Sequence, residues 1–110
     1  MAVKTLEQEI AKFAYEIVKN SGESEKREFK KLPNLIMTNG LIPTLAYYKD
    51  DKKPYKMEVY RTILKWIKEE KKLIQNENLD ELLNADSQTL RKATLEALKL
   101  SNYLKRFSEM

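Results

Sequence analysis

Two pairs of neighbouring acids, Asp50-Asp51 and Glu69-Glu70, and a basic repeat at Lys92, Lys99 and Arg106 are the groups whose spacing could do chemistry. Carboxylates could act as general acids and bases or hold a pair of metal ions; ammonium and guanidinium groups could bind phosphate. Histidine and cysteine are both absent. That excludes disulfides, thiolate and imidazole metal sites, and Ser–His or Cys–His nucleophile pairs. Adjacent residues on a helix point about 100° apart, so neither acidic pair forms a shared site. A two-metal nuclease needs several carboxylates converging in one cleft, and nothing in the spacing suggests that. With two glycines in the chain, there is no phosphate-cradling loop either. The expectation is a protein with no catalytic residue, no metal and no cofactor.

The basic side chains carry more promise. Lys92, Lys99 and Arg106 recur every seven residues on the outer face of a C-terminal helix, flanked by Arg91, Asn102, Tyr103 and Lys105. Near the N-terminus Lys12, Tyr15 and Lys19 share an outer face. Cations beside aromatics suit single-stranded nucleic acid, where phosphates meet charge and bases stack. A solvated helix face has the same composition, so pattern alone leaves both readings open. Glu70 falls within an apolar arc, which places it either beyond the end of the bundle, in water, or in an ion pair with another chain. Leu95 and Leu98 project away from the core seam of their helix, to pack on a short neighbouring helix or to meet a partner.

The elements that must position these groups are helical. The chain has 110 residues, 35% of them charged, and a net charge of +4. One domain spanning residues 1–110 fits this length. A chain of this size hides roughly 65% of its unfolded surface, enough for one core. There is no run of 18 apolar residues and no signal-peptide-like start, so a soluble, cytoplasmic protein without membrane contact is expected.

The first helix is predicted over 3–20, with Val3, Leu6, Ile10, Phe13 and Ile17 on one face. Ser24 is a candidate cap for a second helix, in which Pro33 predicts a kink or restart. Between Phe29 and Tyr48, the stripes Leu32, Leu35, Ile36 and Leu41, Leu45, Tyr48 are joined at Asn39-Gly40, a glycine suited to turn one helix into the next. After the charged turn 50–54, a fourth helix over 54–74 has an apolar arc of roughly 200°, the mark of a central helix. Asn78 and Glu81 have capping-box spacing for a short helix over 79–84, and Asp86 can cap a last helix over 87–108. The core face of that helix is Leu90, Ala93, Ala97, Leu100, Leu104 and Phe107. The predicted fold is all-α, a compact bundle of about five to six helices.

Several short runs resemble a known family. They are Lys31-Leu32-Pro33, Leu35-Ile36, Thr38-Asn39-Gly40-Leu41, Thr44-Leu45-Ala46-Tyr47, Ala97-Leu98 and Tyr103-Leu104-Lys105-Arg106-Phe107. In order and spacing they resemble the small helical subunit of the type III-B CRISPR RNA-silencing complex, the Cmr complex. Tyr103 stands where that family often has tryptophan. The resemblance implies a non-catalytic subunit of an antiviral complex. Several copies would stack along a backbone filament and line the channel for target RNA, and cleavage would belong to the backbone subunits. Its partners would be the other subunits, further copies of itself and the target RNA strand. From charge and position, Lys30, Lys31, Lys49, Lys99, Lys105 and Arg106 are the expected phosphate contacts. Alone, the protein is expected to be a monomer or to associate weakly. The competing readings are a stand-alone nucleic-acid-binding protein, a protein adaptor and, last, a carboxylate-dependent nuclease.

Overall fold

Thr5 starts the first helix in the computed structural model, which describes residues 5–50 and 53–110. Its hydroxyl accepts from the Gln8 N–H at 3.1 Å while the Gln8 side chain accepts from the Thr5 N–H at 2.8 Å. This reciprocal box satisfies two donors that the helix itself leaves open. Helix α1 is therefore Leu6–Lys19. Val3, Asp51 and Lys52, which belong to the predicted first-helix face and charged turn, lie outside the described residues. The buried face of α1 is Ile10, Ala14 and Val18, with Phe13 and Ile17 half-buried. Leu6, expected in the core, is 70% exposed.

Helix α2, Glu23–Asn39, begins at Gly22 with no side-chain cap. Ser24 lies inside the first turn and does not cap it. The helix runs through the buried Pro33 without restarting. It ends because Gly40 takes φ 90° and ψ 166°, a region essentially reserved for glycine, while its N–H bonds the Ile36 carbonyl at 2.8 Å. Helix α3, Leu41–Asp50, follows at once. The Thr44 hydroxyl ties the two together, lying 2.7 Å from the Gly40 carbonyl and 3.2 Å from that of Leu35.

Helix α4 is Pro54–Lys65, with Pro54 in its first turn where no N–H is needed. The predicted continuation to residue 74 changes character: Trp66–Glu70 is a π-helical turn, closed by Lys71 N–H to Trp66 O at 3.1 Å. Sequence periodicity explains why. A regular helix would carry Glu70 into the apolar arc; a wider turn shifts the phase, and Glu69 and Glu70 both emerge in water. Lys72 then takes φ 55° and breaks the helix.

Helix α5, Leu79–Leu83, starts at Asn78, whose side chain accepts from Asp80 N–H at 2.9 Å. Glu81 does not complete a capping box there; it accepts from Asn76 at 2.9 Å. The buried Tyr60 hydroxyl accepts from the Leu79 N–H at 3.0 Å, fixing α5 to α4. Helix α6, Ser87–Ser108, is capped by Asp86 through Thr89 N–H at 2.7 Å.

Among the described residues the fold is all-α. α6 packs against both α1 and α2, α4 against α2 and α3, and the π turn against α6. Ala93, Ala97 and Ser101 line the inner face of α6 without exposed surface, and their small size lets neighbouring backbones come close. The wide apolar arc of α4 has its predicted cause: Val59, Tyr60, Ile63 and Leu64 are buried because helices cover it on two sides.

Candidate nucleic-acid interface

Every predicted phosphate contact reaches the surface: Lys30, Lys31, Lys49, Lys99, Lys105 and Arg106 are all exposed. They do not form one site. Lys30 and Lys31 stand on α2 and Lys49 in the last turn of α3, whereas Lys99, Lys105 and Arg106 stand on α6. On α6 a further split follows from helix geometry, with Lys105 rotated about 100° from Arg106.

Packing of α1 on α6 joins two groups that are remote in sequence. Tyr15 meets Phe107 edge-to-face at 5.5 Å between ring centroids, and Phe107 lies 6.0 Å from Tyr103. Tyr103 donates its hydroxyl to Glu7 at 2.9 Å, and this bond to a carboxylate raises the phenol's pKa above its ordinary value. The result is a line of three rings, with Lys12 and Lys19 exposed on the α1 side and Lys99 and Arg106 on the α6 side.

Two of the predicted cations are held by acids. Lys99 Nζ is 3.7 Å from Glu96 Oε2, and Lys31 Nζ is 3.5 Å from Glu28 Oε2. Glu96 also lies 3.7 Å from Lys71 Nζ and accepts from the buried Trp66 indole at 3.3 Å. Around it Leu6, Ile10, Trp66, Lys71, Lys99 and Tyr103 line a groove of about 480 Å³. Glu28 is buried and accepts from Tyr48 at 3.2 Å. Burial, then the Glu28 charge, raises the Tyr48 pKa far above its ordinary value.

The acids Glu28 and Glu96 are functional neighbours that the sequence reading did not pick out. Both carry a visible signal, the three-residue spacing Glu28–Lys31 and Glu96–Lys99, which places the charges on one helix face. That Tyr48 and Trp66 come to these acids is not visible in any local pattern. Of the two acidic pairs, Glu69 and Glu70 are exposed, as is Asp50, and Asp51 lies outside the described residues. Among the described residues no three acids stand close enough to hold a metal ion, and no helix is long and apolar enough to cross a membrane. Leu98 is half-buried against the core while Leu95 is 52% exposed, in the middle of the α6 basic stripe.

A family model described as CRISPR-associated protein (Cas_Cmr5) matches residues 6–110. The chain is also 29% identical over 114 residues to the CRISPR system Cmr subunit Cmr5 of Thermotoga maritima, a match spanning 100% of this chain and 87% of that relative. The resemblance carried by the Leu-Pro, Asn-Gly-Leu and Tyr-Leu-Lys-Arg-Phe runs thus extends over nearly the full length, and the chain belongs to the Cmr5 family of CRISPR-associated proteins.

Proposed function

We propose that this protein is a non-catalytic small subunit of a type III-B CRISPR RNA-silencing assembly in the cytoplasm. Several copies stack along the backbone filament, and their basic faces line the target-RNA channel. The observation that carries the RNA contact is the α1–α6 face, where Tyr15, Phe107 and Tyr103 run between exposed Lys12, Lys19, Lys99 and Arg106. Rings offer stacking to any base and flanking cations follow a backbone, a combination that is blind to sequence. Sequence would be read by pairing between guide and target. Family membership supports the assembly.

Each copy neutralises few phosphates. Affinity alone is therefore low, and repeated copies on one strand raise it through effective concentration. The protein is a monomer, or associates weakly, when isolated. Titration with labelled single-stranded RNA and with duplex DNA, at low and moderate salt, tests the reading. Weak RNA binding that fades with salt, and that weakens further in Lys99→Gln with Arg106→Gln, is expected. Tight, sequence-selective duplex binding at moderate salt would favour a stand-alone regulator. Incubation with RNA and Mn²⁺ is expected to leave the RNA intact; cleavage abolished by Glu70→Gln would restore the nuclease reading.

A further inference from the structure

The α2–α3 hairpin holds a cleft of about 640 Å³. Five of its lining residues, Lys31, Leu35, Asn39, Pro43 and Tyr47, recur at every fourth position, and the buried Glu28 and Thr44 complete the lining. That spacing puts the first three on one face of α2 and the last two on one face of α3, with Gly40 folding the faces together. Tyr47 is 48% exposed yet held in place. Lys56 Nζ donates to its hydroxyl at 2.8 Å, and its ring stands edge-on to Tyr48 at 5.0 Å. Tyr48 in turn is anchored on Glu28. An exposed aromatic is thus kept in one orientation before any ligand arrives.

Charge points to the kind of ligand. The whole hairpin, residues 23–50, carries five cations and four acids, a net of +1, but its inner part, 26–49, holds Lys26, Arg27, Lys30, Lys31 and Lys49 against one acid, Glu28. Glu28 is buried, and the other acids of the hairpin, Glu23, Glu25 and Asp50, stand at the ends of α2 and α3 farthest from the Gly40 turn. A protein partner would need an acidic complement around an apolar plug. A nucleic-acid strand carries both parts in every nucleotide, a flat apolar base and a phosphate. Leu35 and Pro43 supply an apolar floor and Tyr47 a stacking wall. The exposed Asn39 carboxamide offers a donor and an acceptor to the edge of a base.

We infer that the α2–α3 cleft is a binding site for one unpaired base of a single-stranded RNA, stacked on Tyr47 with its phosphate toward Lys31. The inference rests on the RNA reading above and adds a second contact, separate from the α1–α6 face. A base inside a duplex is not free to enter, so the cleft selects single strands.

The test uses the full chain, at tens of micromolar and low salt, with a short RNA carrying an end label and one 2-aminopurine. Anisotropy reports binding, and 2-aminopurine quenching reports stacking. Wild type is expected to bind and quench, and to bind the same RNA in a duplex more weakly. Tyr47→Leu is expected to abolish the quench and weaken binding at least about fivefold. Pro43→Glu, an exposed position in the first turn of α3 where an acid is tolerated, is expected to do the same and serves if Tyr47→Leu unfolds. Lys99→Gln with Arg106→Gln should weaken binding yet keep the quench at saturation. Quenching retained in both cleft variants, or equal affinity for duplex and single strand, would overturn the cleft and leave the RNA reading standing. Absence of any anisotropy change would overturn both.

Discussion

Tyr48 donates its hydroxyl to Glu28 at 3.2 Å across the α2–α3 hairpin, in a place where the phenol has no exposed surface and the carboxylate almost none. The other Glu28 oxygen faces Lys31 at 3.5 Å. A buried carboxylate needs both. Tyr48→Phe removes one partner and should destabilise the protein by about 1.5–3 kcal/mol, read as a lower urea midpoint with an unchanged slope. The raised phenol pKa fixes a pH effect as well. The unfolded Tyr48 loses its proton near its ordinary 10.0 and the folded one does not. The stability it contributes is whole below that pH and is lost as pH rises beyond it. Wild type should therefore weaken above pH 10 more steeply than Tyr48→Phe.

Asp86 caps α6, and its hydrogen bonds to Thr89 lower its pKa below the ordinary 3.8. A depressed carboxyl pKa contributes stability above the unfolded value and loses it as pH falls. Asp86→Ala should lower the melting temperature at pH 7, and the gap to wild type should narrow on acidification below the unfolded pKa. Thermal melts from about pH 2 to about pH 7, spanning the carboxyl range, would measure this.

Backbone conformation at two positions predicts opposite outcomes. Gly40 holds φ 90°, ψ 166°. Gly40→Ala finds room, its Cβ meeting Pro43 Cδ at 3.7 Å, but not an allowed backbone region. It should cost about 1–3 kcal/mol. Lys72 is exposed at φ 55° with a side chain that resists this conformation. Lys72→Gly should stabilise by about 0.5–1 kcal/mol, the relief exceeding the added chain entropy. Urea unfolding of both variants checks the pair.

Glu96 holds Lys71 and Lys99, each at 3.7 Å, on a partly buried carboxylate. On the RNA reading it competes with phosphate for both ammoniums. Glu96→Gln keeps an acceptor for the Trp66 indole and releases the cations. Single-stranded RNA affinity at low salt should rise several-fold, with the salt slope steeper by about 0.7 for each added phosphate contact. A loss of affinity would mean that Glu96 positions Lys99 for RNA and does not compete for it.

Helix identity and order were legible in the chain, because they depend on short-range pattern. The Asn39-Gly40 junction, the Asp86 cap and the α6 face of Ala93, Ala97, Leu100 and Leu104 stand as the residues predict. The motifs that carry the family resemblance are likewise local runs. The misplaced details are those where a neighbour decides. Leu6 has the right spacing for the core and lies instead on the rim of the groove beside Trp66 and Tyr103, 70% exposed. Ser24 has the right chemistry for a cap, two residues too late. The fourth helix has a wide apolar arc into which Glu70 falls, and the helix ends there in a π turn.

What the order of residues determined by itself was a cationic all-α chain without histidine or cysteine, since composition and periodicity act within a few turns of backbone. Tertiary packing alone decided which charges keep company. It buried Glu28 under Tyr48, drew Trp66 to Glu96 across 30 positions, and lined Tyr15 up with Phe107 and Tyr103. Such contacts depend on how helices cross, and a crossing is set by the shapes of both partners at once.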